Sequence, residues 1–133
     1  MRVVLDTNVF VSGIFWAGPP SDVLIAWRDR KVDIVLSLPI LEEYLRIAIE
    51  LSRKFPMVDL FPFIDLLTTR GKICIPKRLP RQVCHDSSDD QFLACALGGN
   101  VRCIVSGDHH LLDVSGYKGI EILKPREFVN RYL

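Results

Sequence analysis

The sequence predicts an α/β domain, with a mainly parallel sheet covered by helices on both faces. Three observations carry this. Short runs rich in Val, Ile and Leu alternate with longer stretches of helical periodicity along the whole chain. Gly and Pro clusters fall between these runs and punctuate them. The resulting order is β-α-β-α-α-β-α-β-α-β-α, and such alternation builds parallel sheets whose right-handed crossovers place helices on the faces.

Arg2–Leu5 reads as the first strand, followed by Asp6-Thr7-Asn8 and an apolar stretch, Val9–Phe15, that is a helix start or a buried loop. Gly18-Pro19-Pro20 breaks it, and a helix follows from Pro20 or Ser21 to about Arg30, with Val23, Leu24 and Trp27 on one face. Asp33–Ser37 is the second strand. Pro39 at a first helical position opens a long helix to about Lys54, with Ile40, Leu41, Tyr44, Leu45, Ala48 and Leu51 on its apolar side. Asp59–Thr69 is a further helix, stopped by Gly71, and Lys72–Ile75 a short strand stopped by Pro76. The polar loop 76–88 leads into a helix from about Ser88 to Leu97, ended by Gly98-Gly99-Asn100. Val101–Ser106 is the fourth strand, His110–Asp113 a helical turn, Glu121–Leu123 the last strand, and Pro125 starts a closing helix, Arg126–Tyr132.

Bulk composition narrows the class. A chain of 133 residues with 49% hydrophobic and 25% charged residues fits a single globular domain, 1–133, with a substantial core. No apolar run reaches the ~20 residues that span a membrane, and the acid at position 6 does not suit a secretory signal. The expected compartment is the cytoplasm. Cys74, Cys84, Cys95 and Cys103 form no CxxC pair and read as buried reduced thiols. Net charge is +1, which alone says little about partners.

The informative feature is where the acids fall. Asp6 follows the first strand, and Glu42-Glu43 lie in the first turns of the helix after the second. Asp86, Asp89 and Asp90 open the helix before the fourth strand, and Asp108 follows that strand. All lie at one predicted sheet edge, where open α/β sheets hold their ligands. Carboxylates converging there remain ionised together only if a cation joins them. Oxygen-only ligands favour Mg²⁺ or Mn²⁺ over zinc. Such a metal polarises phosphate oxygens and lowers the pKa of a bound water, which is nuclease chemistry. Each acid also has an ordinary use. Asp6 can cap a helix, and Asp108 suits a turn. Asp86 and Asp89 suit a helix N-terminus, and one of Glu42 and Glu43 must face solvent, since helical neighbours sit ~100° apart.

Thr7, Asn8, Ser37 and Ser106 are short polar residues at the same strand ends, placed to orient carboxylates or simply to cap and turn. Cys84-His85-Asp86 suits a softer metal only if folding supplies a further ligand. Arg46, Lys77, Arg78 and Arg81 are placed to follow a nucleic-acid backbone, although such residues are more often solvated charges. A receiver domain would want an acid pair after the first strand and a Lys after the last. A haloacid-type phosphatase would want Asp-x-Asp, and position 8 is Asn.

Three segments together resemble the PIN-domain family of metal-dependent ribonucleases, many of them toxins of type II toxin–antitoxin pairs. They are Val4–Val9, Ser37–Leu45, and Asp86–Ala96 leading to Val105–Leu112. The resemblance implies a three-layer α/β/α sandwich around a five-stranded sheet. It assigns the catalytic and metal-binding acids to Asp6, Glu43, Asp90 and Asp108, with Asp89 or Asp86 near enough to take the third place. Thr7, Asn8, Ser37 and Ser106 are then supporting groups. Mg²⁺ or Mn²⁺ is the implied cofactor, single-stranded RNA the substrate, and a cognate antitoxin and a second copy of the chain the partners. The expected activity is phosphodiester hydrolysis leaving 5′-phosphate and 3′-hydroxyl ends. The competing expectation is a catalytically silent PIN-like module that binds nucleic acid or an antitoxin.

Overall fold

A computed structural model describes all residues, 1–133. Five parallel strands lie in the order β3-β2-β1-β4-β5. They are β1 (Arg2–Leu5), β2 (Asp33–Leu36), β3 (Lys72–Ile73), β4 (Cys103–Val105) and β5 (Glu121–Leu123). Strands β1, β2 and β4 are buried almost throughout, which is why they read as continuous apolar runs rather than alternating ones. The chain steps from β1 outward to β3, then returns across the sheet to β4. The reversal lies between β1 and β4, so the crevice opens at their carboxyl ends.

The register fixes what meets there. Leu5 pairs with Val105, the Asp6 amide donates to the Val105 carbonyl (3.1 Å), and the Ser106 amide donates to the Leu123 carbonyl (2.9 Å). Asp6 and Ser106 are therefore side by side where the two strands end.

The helices are α1 (Thr7–Phe15), α2 (Pro19–Arg28), α3 (Leu38–Lys54), α4 (Phe61–Arg70), α5 (Asp90–Gly98), α6 (His109–Leu112) and α7 (Pro125–Tyr132). Helix α5 lies on β1, β2 and β4, while α1 packs on α2 and α3 and α2 packs on α7. Right-handed crossovers put α1 to α4 on one face and α5 and α6 on the other, giving the three-layer α/β/α arrangement. Trp27, Phe10, Tyr44 and Phe128 are fully buried and fill the layer between sheet and helices. No single helix is long and apolar enough to cross a membrane. Cys84, Cys95 and Cys103 are buried, Cys74 is half-buried, and all four are free thiols.

Differences from the sequence reading are local. The stretch after Asp6 is helical from Thr7, because Asp6 caps it. Helix α4 begins at Phe61, since the Asp59 carboxylate accepts the Phe61 amide and holds the preceding turn (3.0 Å). Strand β3 pairs over only two residues, because its partner β2 gives way to α3 at Ser37; one further bond, Cys74 amide to Leu36 carbonyl (2.9 Å), trails beyond it. A 3₁₀ turn at Ser87–Asp89 precedes α5, and another at Tyr117–Gly119 was not expected. Gly98 closes α5 where a Cβ would sit 2.0 Å from the Ile75 carbonyl oxygen, so no other residue fits beneath the crossing 75–77 segment.

Candidate metal centre

Asp6 is both a cap and a site acid. It has extended backbone geometry at the N-cap of α1, and its Oδ1 accepts the amides of Asn8 (2.6 Å) and Val9 (3.3 Å). Its Oδ2 accepts the hydroxyl of Ser106. The residue is 4% exposed. Burial raises its pKa above the usual carboxylate range, the Ser106 hydroxyl and the two amides oppose this, and the nearby Asp108 charge adds to it.

Ser106, fully buried, links two acids. Its hydroxyl donates to Asp6 and its oxygen accepts the Asp108 amide (3.0 Å). Asp108 caps α6, its Oδ1 accepting the His110 amide (2.9 Å). The ends of β1 and β4 are thus joined through one serine.

Glu43 reaches the same edge from α3. It is half-buried whereas Glu42 is exposed. Its Oε2 accepts the side-chain amide of Gln91 on α5 (2.6 Å). The exposed Arg46 lines the same shallow depression with Glu42, Glu43, Ser88 and Gln91. Tyr44, next along α3, is fully buried; its hydroxyl donates to the Leu5 carbonyl, and its ring stacks on Phe10 at 4.3 Å and 7°. Tyr44 thereby pins the start of α3 to the residue before Asp6. Burial, then the Asp6 charge, keeps its hydroxyl protonated and able to donate. Tyr44→Phe keeps the stack and leaves the buried carbonyl without this donor. It is expected to lower stability by about 1–2 kcal/mol in urea denaturation.

The structure treats the candidates for the third acid differently. Both oxygens of Asp90 are engaged by the preceding loop, Oδ2 accepting the Val83 amide (3.0 Å) and Oδ1 the Cys84 amide (2.7 Å). Asp89 instead has a buried Oδ2 with no hydrogen-bond partner. Its carboxyl is pushed up to about 6 by burial and by the charges of Asp108, Asp86 and Asp6, with His110 opposing. Asp89 thus shares a field with Asp6 and Asp108, while Asp90 is bonded to the loop. The reason is the 3₁₀ turn at 87–89, after which successive side chains diverge and Asp90 is left facing the loop. Asp86 is exposed and turned to Ser88, whose amide (3.0 Å) and hydroxyl (2.8 Å) it accepts.

The supporting residues divide. Ser106 contacts two acids directly, and Asn8 contributes its amide while its side chain is exposed. Thr7 is buried with its hydroxyl unpartnered. Ser37 caps α3, accepting the Ile40 amide at 3.5 Å, and touches none of the acids. Gln91 and Tyr44 escaped the sequence reading as site groups, because Tyr44 looked like one more apolar-face residue and Gln91 like an ordinary helix surface position.

The donor set is oxygen throughout, and a buried carboxylate oxygen without a partner is the kind of group a cation satisfies. The donor chemistry of Asp6, Asp89 and Asp108 therefore suits a hard divalent ion. No curated protein matches the chain. A family profile described as PIN domain matches residues 2–110, a span that includes every acid named above. PIN domains are typically nucleases that use divalent metals. The three-layer sandwich, the acids at its switch point and this match over most of the length agree, and the chain belongs to the PIN-domain family.

Proposed function

We propose that this protein is an Mg²⁺- or Mn²⁺-dependent endoribonuclease acting on single-stranded RNA. The observation that carries the reading is the buried, unpartnered Asp89 carboxylate oxygen in the field of Asp6 and Asp108. Asp6, Asp89 and Asp108 would hold the ion, with Glu43 approaching from α3. The bound ion would supply charge stabilisation at the scissile phosphate and ease deprotonation of water. The chain's own residues fix the geometry. Ser106 ties Asp6 to the Asp108 backbone, Gln91 orients Glu43, and Tyr44 sets α3 against β1. Without a cation this edge repels a phosphodiester, so binding of substrate and of metal are coupled.

Regulation by a cognate antitoxin, and dimer formation, belong to the same proposal. An apolar surface supports a protein partner: Trp16, 48% exposed, lines the groove between α1, α2 and α4, and Phe55, 40% exposed, packs edge-on against it. A neighbouring gene for a small DNA-binding protein tests the first, and solution mass the second.

The activity is tested with purified protein and labelled single-stranded RNA. Cleavage is expected with added Mn²⁺ or Mg²⁺, leaving 5′-phosphate ends, and none in excess EDTA. If RNA binds tightly but stays intact with either metal, the protein is a silent binding module instead.

A further inference from the structure

The chain contains three histidines, and the fold gathers all of them beside the acidic cleft. The rings of His109 and His110 have centroids 4.0 Å apart, and His85 stacks on His110 at 5.3 Å and 27°. A carboxylate oxygen of Asp108 and ring nitrogens of His109 and His110 lie within 4.8 Å of one another. His109 Nδ1 is 3.8 Å from Asp108 Oδ1. His85 arrives from the loop before α5 and the other two from the start of α6, so only folding brings them together.

The donor chemistry differs from that of the cleft. Imidazole nitrogens with one carboxylate suit a borderline ion such as zinc, whereas Mg²⁺ prefers oxygen alone. Folding also decides which neighbours of His85 take part. Cys84 is buried in the core, while the His85 and His109 imidazoles are exposed. Asp86 gives one oxygen, Oδ1, to Ser88, and its charge lies near His85 and His110. Across the gap His85 stacks on His110, which in turn lies against His109.

We propose that Asp108, His109 and His110, with His85 opposite, form a binding site for a zinc-class transition-metal ion, distinct from the all-oxygen cleft but sharing Asp108 with it. Closing donors spread over 4.8 Å around one ion needs only rotation of side chains, of which His109 is 77% exposed. Because Asp108 belongs to both sites, an ion held by the histidines draws it away from Asp6 and Asp89. Zinc is then an antagonist of the Mg²⁺ or Mn²⁺ centre.

The test is zinc binding by the whole chain, read by competition with a chromophoric chelator after EDTA stripping and desalting. Its readout does not depend on nuclease activity. Wild type is expected to bind one zinc ion. His109→Ala/His110→Ala should weaken that binding by roughly 100-fold or more, and His85→Ala by less. Asp6→Asn should change it by only a few-fold, far less than the histidine double variant, which separates this site from the cleft even if no RNA is cleaved. Circular dichroism confirms that each variant is folded, and His109→Gln serves as a milder variant at the most exposed ligand. Wild-type zinc affinity in the double variant overturns the proposal. So does an affinity that falls in Asp6→Asn but not in the histidine variants, since zinc then sits among the acids.

Discussion

Asp6→Asn is expected to give a folded protein whose metal-dependent RNA cleavage is reduced by at least about 100-fold. The fold survives for local reasons. Asparagine keeps one side-chain oxygen to accept the Asn8 and Val9 amides, so α1 remains capped. Its amide group meets the Ser106 oxygen, which still has a lone pair to offer. The substitution also removes a carboxylate that burial already disfavours, since the Asp6 pKa lies above its usual range. A group raised in this way destabilises the fold at neutral pH and not at acid pH. The metal-free variant should therefore melt at or above the wild-type temperature at pH 7.5. What is lost is charge at the centre of the switch point, where the ion would be held. Parallel measurement of cleavage and of Mn²⁺ binding checks this, and equal residual cleavage by wild type and variant would trace the activity to a contaminant.

The second large effect separates two adjacent aspartates. Asp89→Asn should lower cleavage by at least about 100-fold while stabilising the metal-free protein at neutral pH. The sign follows from its carboxyl, raised to about 6 in the fold. The unfolded chain titrates near ~4, so the penalty is absent below that pH and fully present above 6. Discounted for solvent screening at this half-buried position, it amounts to about 1 kcal/mol. Denaturant titrations in EDTA should show the variant more stable at pH 7.5 and equal to wild type below pH ~4, and saturating Mn²⁺ should reverse the order at pH 7.5. Asp90→Asn should behave oppositely. Its two oxygens hold the Val83 and Cys84 amides, and an amide side chain can accept only one of them well. A stability loss of about 2 kcal/mol is expected, with cleavage reduced only about tenfold. If Asp90→Asn removes Mn²⁺ binding and Asp89→Asn does not, the third ligand is Asp90.

Much of this protein is legible in one dimension. The alternation of apolar runs with helical periodicity fixes an α/β sheet. The acids at the ends of the first and fourth strands, and at the start of the helix after the second, mark its working edge. These features are readable because strand burial and helix amphipathicity are periodic in sequence. Glu43 is half-buried and Glu42 exposed because of which side of α3 faces the sheet, and the sequence shows that face through Tyr44, Leu45 and Ala48.

Other features depended on long-range geometry. Ser106 touches Asp6 because Leu5 pairs with Val105, a register set by strands 100 residues apart in sequence. Tyr44 becomes a polar anchor only because the Leu5 carbonyl lies beside its ring. The histidines at 85, 109 and 110 gather only when the loop before α5 passes over the start of α6. The choice of Asp89 over Asp90 is of the same kind. Adjacent residues leaving a 3₁₀ turn point roughly 100–120° apart, so one meets the cleft and the other the loop. The sequence by itself determined that an acid stands here. Which of the two is held by the loop and which keeps a buried oxygen free was decided by the path of residues 83–84, whose amides bond Asp90 and leave Asp89 Oδ2 without a partner.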